Sequence, residues 1–270
     1  MNITFIGGGN MATAIIGGLL QRNWNAKQFR VVEIVASARE KLEQTYRVQT
    51  FASASAEALQ TDCVVLAIKP QQMREAAVQL SPLVSHALII TIAAGIRGAD
   101  LSCWLGNHQR IVRVMPNTPA LVLAGISGLY AMPGVTAKDR ERAAGIMGAV
   151  GETVWVERED DIDAVTAVSG SGPAYVFYFI EALEQAAREL GMSATAARQL
   201  AISTFTGASK LAAQSTDDIA TLRARVTSKG GTTERALASM ESDQIKSAIV
   251  RAVKAAADRS RELGDELGRG

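Results

Sequence analysis

Cysteine and histidine are scarce in this chain, with two of each in 270 residues. Cys63 and Cys103 have no CxxC partner and no cluster of ligand-type residues nearby, so neither a disulfide framework nor a structural metal site is expected. Both thiols are expected to be reduced and buried in the apolar stretches that hold them. His86 and His108 are isolated, which leaves a His-based triad or zinc centre without parts, and no metal is expected. An excess of one charge is missing too: 28 Lys and Arg oppose 27 Asp and Glu, for a net charge of +1. No basic run is long enough to follow a phosphate backbone, so nucleic acid is not an expected partner. No apolar run reaches the roughly 18 residues that span a bilayer, so no membrane contact is expected. Met1-Asn2-Ile3-Thr4 passes directly into an apolar strand pattern without a charged leader, and the expected location is the cytoplasm.

What is present is an ordinary globular composition, 48% hydrophobic and 20% charged. The length suits two domains of roughly 100 to 160 residues each. In the first half, short apolar runs alternate with helical patterns: 3–6 then 11–20, 31–36 then 38–46, 64–68 then 71–83, followed by runs at 88–92 and 111–115. Continuous apolar strands separated by amphipathic helices predict a parallel sheet covered on both faces, a doubly wound α/β domain. After Val154-Trp155-Val156 the strand signals stop. Ala-rich stretches over 174–190, 194–213 and 242–267 carry apolar residues at helical spacing. The expected fold is therefore a Rossmann-like domain over residues 1–157 followed by an all-helical domain over 158–270. Helices this rich in small residues make a thin core, which a second copy of the chain would complete, so at least a homodimer is expected.

Directly after the first strand stands Gly7-Gly8-Gly9-Asn10-Met11-Ala12, a G-x-G-x-x-A pattern opening a helix. Gly7 permits the tight turn, Gly9 lets a pyrophosphate approach the backbone, and Ala12 lets helix and strand pack closely. The phosphates would lie on the helix N-terminus, where the amides and dipole favour an anion. In NAD-selective proteins an acid ends the second strand and grips the ribose 2′-hydroxyl. Here the pattern places Glu33 inside that strand, and the exit reads Ala36-Ser37-Ala38-Arg39. A hydroxyl and a guanidinium two residues apart suit a 2′-phosphate, which favours NADPH, with NADH as the alternative. Ser37 also fits the role of helix N-cap. Ala67-Ile68-Lys69-Pro70 and Ala93-Ala94-Gly95 follow two further strands, and in this fold ligands lie beyond the carboxyl ends of strands. Ala67, Lys69, Pro70, Ala93, Ala94 and Gly95 are therefore expected to border the cofactor, although Lys69 also reads as a solvated loop charge.

These motifs, together with Arg113-Val114-Met115-Pro116-Asn117-Thr118-Pro119, Ser169-Gly170-Ser171-Gly172-Pro173-Ala174-Tyr175 and Val226-Thr227-Ser228-Lys229-Gly230-Gly231-Thr232-Thr233, resemble pyrroline-5-carboxylate reductases along the whole chain. The resemblance implies reduction of 1-pyrroline-5-carboxylate to L-proline, the last step of proline biosynthesis, in a homodimer whose dimers can assemble further, up to a decamer. It implies that the segment from Ser228 through Gly230, Gly231 and Thr232 receives the small-molecule substrate's carboxylate, and that Thr233 hydrogen-bonds the ring nitrogen as the candidate catalytic residue. The chemistry of that segment agrees: glycines let amides converge on an anion, Ser228 can donate, and a helix starting near Thr232 adds its dipole. As an isolated octapeptide it equally reads as a Gly-Gly loop with Ser and Thr caps. The family usually has Pro at the position of Lys229, and often Asn near Ala54 at the adenosine end.

Dehydrogenases of hydroxy acids place a Lys about one turn into a helix after a similar glycine-rich turn, but the stretch 173–190 holds no Lys. Ketone reduction needs a proton donor for the developing alkoxide, whereas a protonated imine accepts hydride and becomes a neutral amine without one. Asn117 and Thr118 read either as pocket residues or as caps. A reductase of another cyclic imine or of a hydroxy acid, and a nucleotide-sensing scaffold without turnover, are the alternatives.

Overall fold

Short, mostly apolar runs without charge form the centre of the sheet, and the buried Thr4 hydroxyl donates to the Ala58 carbonyl at 2.7 Å instead of to solvent. In the computed structural model, which describes residues 1–268, β1 (Ile3–Ile6), β4 (Cys63–Leu66) and β5 (Leu88–Thr91) are buried at every position. With β2 (Phe29–Val32), β3 (Gln49–Phe51), β6 (Ile111–Met115), β7 (Gly125–Ala131) and β8 (Gly151–Trp155) they make one eight-stranded sheet in the order β3-β2-β1-β4-β5-β6-β7-β8. The chain order reverses between β1 and β4, which makes their carboxyl ends the switch point of the sheet.

Every neighbouring pair is parallel except β6 and β7, where Val114 faces Leu129 in an antiparallel step. The expected all-parallel sheet is thus mostly parallel. β7 escaped the sequence pattern because it is rich in small residues: a Cβ on Gly128 would stand 2.5 Å from Val165 Cγ1, so close packing replaces side-chain bulk there.

Alternating side chains feed two cores. On one face Ile3, Phe5, Val65 and Ile90 pack with α1 (Asn10–Gln21), α2 (Ala36–Tyr46) and α5 (Ala137–Met147) through Ile15, Leu42 and Ile146. On the other, Ile6, Val64, Leu66 and Ile89 pack with α3 (Met73–Leu80) and α4 (Gly98–Trp104) through Met73, Ala77 and Leu101. Cys63 is buried as expected, but Cys103 is exposed, because α4 turns Gly98, Leu101 and Ser102 inward and leaves Cys103 on its outer side.

β2 departs from its expected span of 31–36. Phe29 is fully buried, stacked on Trp24 with ring centroids 6.0 Å apart and edge-on to Phe5 at 6.4 Å, which anchors the strand early. Ile34 and Val35, apolar in sequence, are 75% and 51% exposed beyond its end. Glu33 therefore follows the last strand residue instead of lying inside the strand.

The remaining helices are α6 (Asp161–Val165), continued by a π turn over Thr166–Gly170, then α7 (Gly172–Glu189), α8 (Ala194–Gln214), α9 (Ile219–Arg225), α10 (Thr232–Ser242) and α11 (Ile245–Gly268). The chain divides into two compact units, Gly172–Ala255 and the remainder, Met1–Ser171 together with the chain from Ala256 on. This differs from a division at 157 and 158. α6 and the π turn belong to the sheet unit, and so does the distal part of α11, where Ser260 Oγ donates to Asp163 Oδ1 at 2.5 Å and Arg97 pairs with Asp265 at 2.5 Å.

In the helical unit, α7 and α8 pack on each other, with the Phe179 and Phe205 rings 6.5 Å apart, yet no residue of α7 is fully buried. Phe177 and Tyr178 are 64% and 72% exposed, so this thin unit carries an apolar face. Among the described residues no helix is long and apolar enough to cross a membrane, and no group of His, Cys, Asp and Glu is placed to hold a metal ion.

Candidate active site

The glycine-rich turn is built at the switch point. Gly7 continues β1 with its amide donating to the Val32 carbonyl at 2.8 Å, and the Ala67 amide donates to the Ile6 carbonyl at 2.8 Å. Gly7 has φ +95°, and a Cβ there would stand 2.6 Å from the Ala67 carbonyl oxygen, so glycine is required twice over. At Gly9 a Cβ would meet nothing within 4 Å. Gly9 caps α1 without any side-chain hydrogen bond, so the first-turn amides of Asn10, Met11 and Ala12 lack an intrahelical acceptor. Open space over a glycine, next to uncapped amides at the positive end of a buried helix, fits a pyrophosphate. Gly9 and Asn10 are exposed and Met11 is half-buried on the same turn.

Gly8 makes a contact that the sequence reading missed: its amide donates to Glu33 Oε2 at 2.9 Å, while Glu33 Oε1 accepts from the Val35 amide at 2.9 Å. α2 is capped by Val35, so Ser37 lies in the first turn and is not the N-cap. Its hydroxyl is exposed beside uncapped amides, as an anion-binding role needs. Arg39 is turned inward, Nη1 donating to the carbonyls of Glu33 at 2.8 Å and Ile34 at 3.0 Å.

Beyond β4, Ala67 is half-buried against Gly7, Lys69 is exposed without an ion pair among the described residues, and Pro70 begins a short 3-10 turn closed by the Gln72 amide on the Lys69 carbonyl. Beyond β5, Ala93 and Gly95 are buried and Ala94 is half-buried. Gly95, with φ +73°, faces α11: a Cβ there would stand 3.0 Å from Leu267 Cδ1. Its conformation serves that packing, which leaves Ala94 as the more accessible of the three. Asn117 is buried and bridges elements, Oδ1 accepting from the Ile126 amide at 2.9 Å and Nδ2 donating to the Ser169 carbonyl at 3.2 Å, so it acts as a structural clamp.

In the helical unit, Ser228–Gly231 is a four-residue turn closed by the Gly231 amide donating to the Ser228 carbonyl at 3.0 Å, with Gly230 at its third position and φ +75°. A Cβ on Gly231 would stand 2.5 Å from Ser228 Oγ. α10 starts at Thr232, as expected, and has no side-chain cap. The two glycine amides do not converge freely, however, because Gly230 donates to Glu234 Oε2 at 2.7 Å. Glu234 was missed in the sequence, although an acid in a helix's first turn after a Ser and Gly turn is a capping signal. The donors left are the first-turn amides of α10 and the hydroxyls of Ser228, Thr232 and Thr233, none of which bonds another described residue.

The reversal of strand order, the glycine turn and the uncapped α1 define a dinucleotide-binding protein of the doubly wound class with a helical second unit. Comparison with known proteins narrows this. The family described as NADP oxidoreductase coenzyme F420-dependent matches residues 2–95, and that described as Pyrroline-5-carboxylate reductase dimerisation matches residues 159–263. A pyrroline-5-carboxylate reductase of Pseudomonas aeruginosa is 43% identical, covering 98% of each chain. The solved structure of the Coxiella burnetii pyrroline-5-carboxylate reductase superposes with a TM-score of 0.93 at 39% identity, covering 97% of this chain and 98% of that one. The Plasmodium falciparum enzyme, solved with NADP bound, gives 0.86 at 28% identity, covering 98% of each chain. The chain belongs to the pyrroline-5-carboxylate reductase family.

Proposed function

We propose that this protein reduces the ring C=N bond of 1-pyrroline-5-carboxylate to give L-proline, the last step of proline biosynthesis, with NADPH as reductant and NADH as the alternative. The observation that carries the site assignment is the start of α10, where three hydroxyls and an uncapped helix end are left without partners among the described residues, beside a glycine turn. That donor set suits a small anionic substrate with one ring nitrogen.

When bound, the nicotinamide supplies a hydride. The sheet unit holds the dinucleotide, the first-turn amides of Asn10 and Met11 receiving the pyrophosphate above Gly9 while Ser37 stands at the ribose end. Ala67, Lys69, Pro70, Ala93 and Ala94 border it at the carboxyl ends of β4 and β5. Ser228 and the amides at the start of α10 hold the carboxylate, and Lys229 adds a favourable charge. Thr233 Oγ1 hydrogen-bonds the ring nitrogen and fixes the orientation of the C=N bond. Once the imine is protonated, no side-chain acid is needed at the carbon, in keeping with the absence of Lys from α7. Orientation then supplies the rate gain, on the order of 7 to 11 kcal/mol in favourable cases.

The same reading assigns cofactor binding to residues 1–157 and substrate binding with dimerisation to residues 158–270, supported by where the two family matches fall. It places the protein in the cytoplasm, in keeping with two unpaired thiols. Product analysis tests the activity: purified protein supplied with NADPH and 1-pyrroline-5-carboxylate yields L-proline, and failure to form it overturns the assignment.

A further inference from the structure

The end of β2 decides which dinucleotide a doubly wound domain prefers, because an acid there accepts hydrogen bonds from a free ribose and repels a 2′-phosphate. In this chain the strand ends at Val32, and the next residue is Glu33. Its side chain is fixed: Oε2 accepts from the Gly8 amide and Oε1 from the Val35 amide, both at 2.9 Å. Each oxygen retains a second lone pair.

Glu33 lines an open cleft of about 350 Å³ bounded by Ile6 and Gly7 on one side and Ala52–Ala54 on another, beyond the carboxyl ends of β1, β2 and β3. The charged residues lining that cleft, among the described residues, are Glu33 and Glu75, both acids. Neither Ser37 nor Arg39 lines it, and Arg39 is tied by Nη1 to the carbonyls of Glu33 and Ile34.

We propose that Glu33 is a specificity-determining residue, accepting the 2′-hydroxyl of NADH and opposing the 2′-phosphate of NADPH, so that this chain takes both dinucleotides without a strong preference for the phosphorylated one. Ser37 and the uncapped start of α2 draw the phosphate in, and Glu33 counters them from the strand end. This rests on the dinucleotide reading given above but not on the identity of the imine.

The test is direct titration of full-length protein with NADPH and with NADH, by calorimetry, in wild type and in Glu33→Gln. Glutamine keeps an acceptor for the Gly8 amide but removes the charge. Relief of a nearby like charge raises the NADPH-over-NADH affinity ratio by about tenfold. A change that weakens both dinucleotides equally marks Glu33 as a mere anchor of the glycine turn and overturns the proposal, as does an unchanged ratio. A second measurement needs no variant: 5′-ADP and 2′,5′-ADP compete for the wild-type site with affinities within about tenfold of each other. A larger advantage for 2′,5′-ADP also overturns it. Binding of neither dinucleotide by folded protein overturns this inference together with the reading beneath it, whereas binding without proline formation refutes only the substrate.

Discussion

In the turn that opens α10, the Glu234 carboxylate accepts a hydrogen bond from the Gly230 amide at 2.7 Å. An internal anion rests on a donor within the proposed carboxylate site. It orders the turn, and it also repels an incoming carboxylate. Removing the charge while keeping the acceptor, in Glu234→Gln, relieves a surface repulsion of about 1 kcal/mol, so KM for the imine acid falls roughly fivefold at unchanged kcat. Steady-state kinetics check this, and an unchanged or raised KM contradicts it.

Lys229 occupies the second position of the same turn, where the family usually has Pro. Its φ is not positive, and its amide donates to no backbone carbonyl of the described residues. Lys229→Pro therefore loses no bond and restricts the unfolded chain, raising stability by about 0.4 to 1 kcal/mol in chemical denaturation. The lost charge raises KM for substrate. A destabilised variant would show that the turn's backbone is incompatible with proline.

Asp139 supplies the pH dependence. Its side chain is 1% exposed and is held by Arg110 at 2.8 Å, with Thr136 Oγ1 donating at 2.8 Å in a capping box at the start of α5. Burial pushes its carboxyl up, but the bonds from Arg110 and Thr136 outweigh burial and hold it below the ordinary carboxylate range. A lowered folded-state value means stability that is fully present above the ordinary aspartate value of about 3.9 and is lost as pH falls through the lower one. Asp139→Asn leaves Arg110 without its ion-pair partner, costs about 3 kcal/mol at neutral pH, and flattens the dependence of Tm on pH below about pH 4. A Tm profile parallel to wild type in that range contradicts this.

Strands buried on both sides were legible because they are uniformly apolar, as at Val64–Leu66 and Leu88–Ile90, and the start of α10 at Thr232 was legible from its two glycines. β7 was not, because Gly128 exchanges bulk for contact with Val165. The end of β2 was misread for the opposite reason: Ile34 and Val35 are apolar yet exposed, and they extended the pattern past the point where Phe29 and its ring partners had set the strand. That slip hid the position of Glu33, and no local pattern shows a bond between Gly8 and a residue 25 positions away. The glycine turn was legible because its geometry is local, Ser37 is a candidate from a short motif of the same kind, and the role proposed for Thr233 comes from the family resemblance. Cys103 was misassigned because an apolar neighbourhood in sequence does not say which side of a short helix faces inward.

The Ser228–Thr233 turn is proposed to hold the imine acid, with Thr233 Oγ1 on the ring nitrogen. The most direct measurement is the loss of NADPH absorbance on adding 1-pyrroline-5-carboxylate to wild type and to Thr233→Ala, with dinucleotide affinity measured on both. The expected result is rapid oxidation by wild type, a fall in kcat/KM of roughly 10- to 100-fold in the variant, corresponding to about 1.4 to 2.8 kcal/mol, and unchanged NADPH affinity. Equal rates in the two proteins, or no oxidation by wild type that binds NADPH, would contradict it.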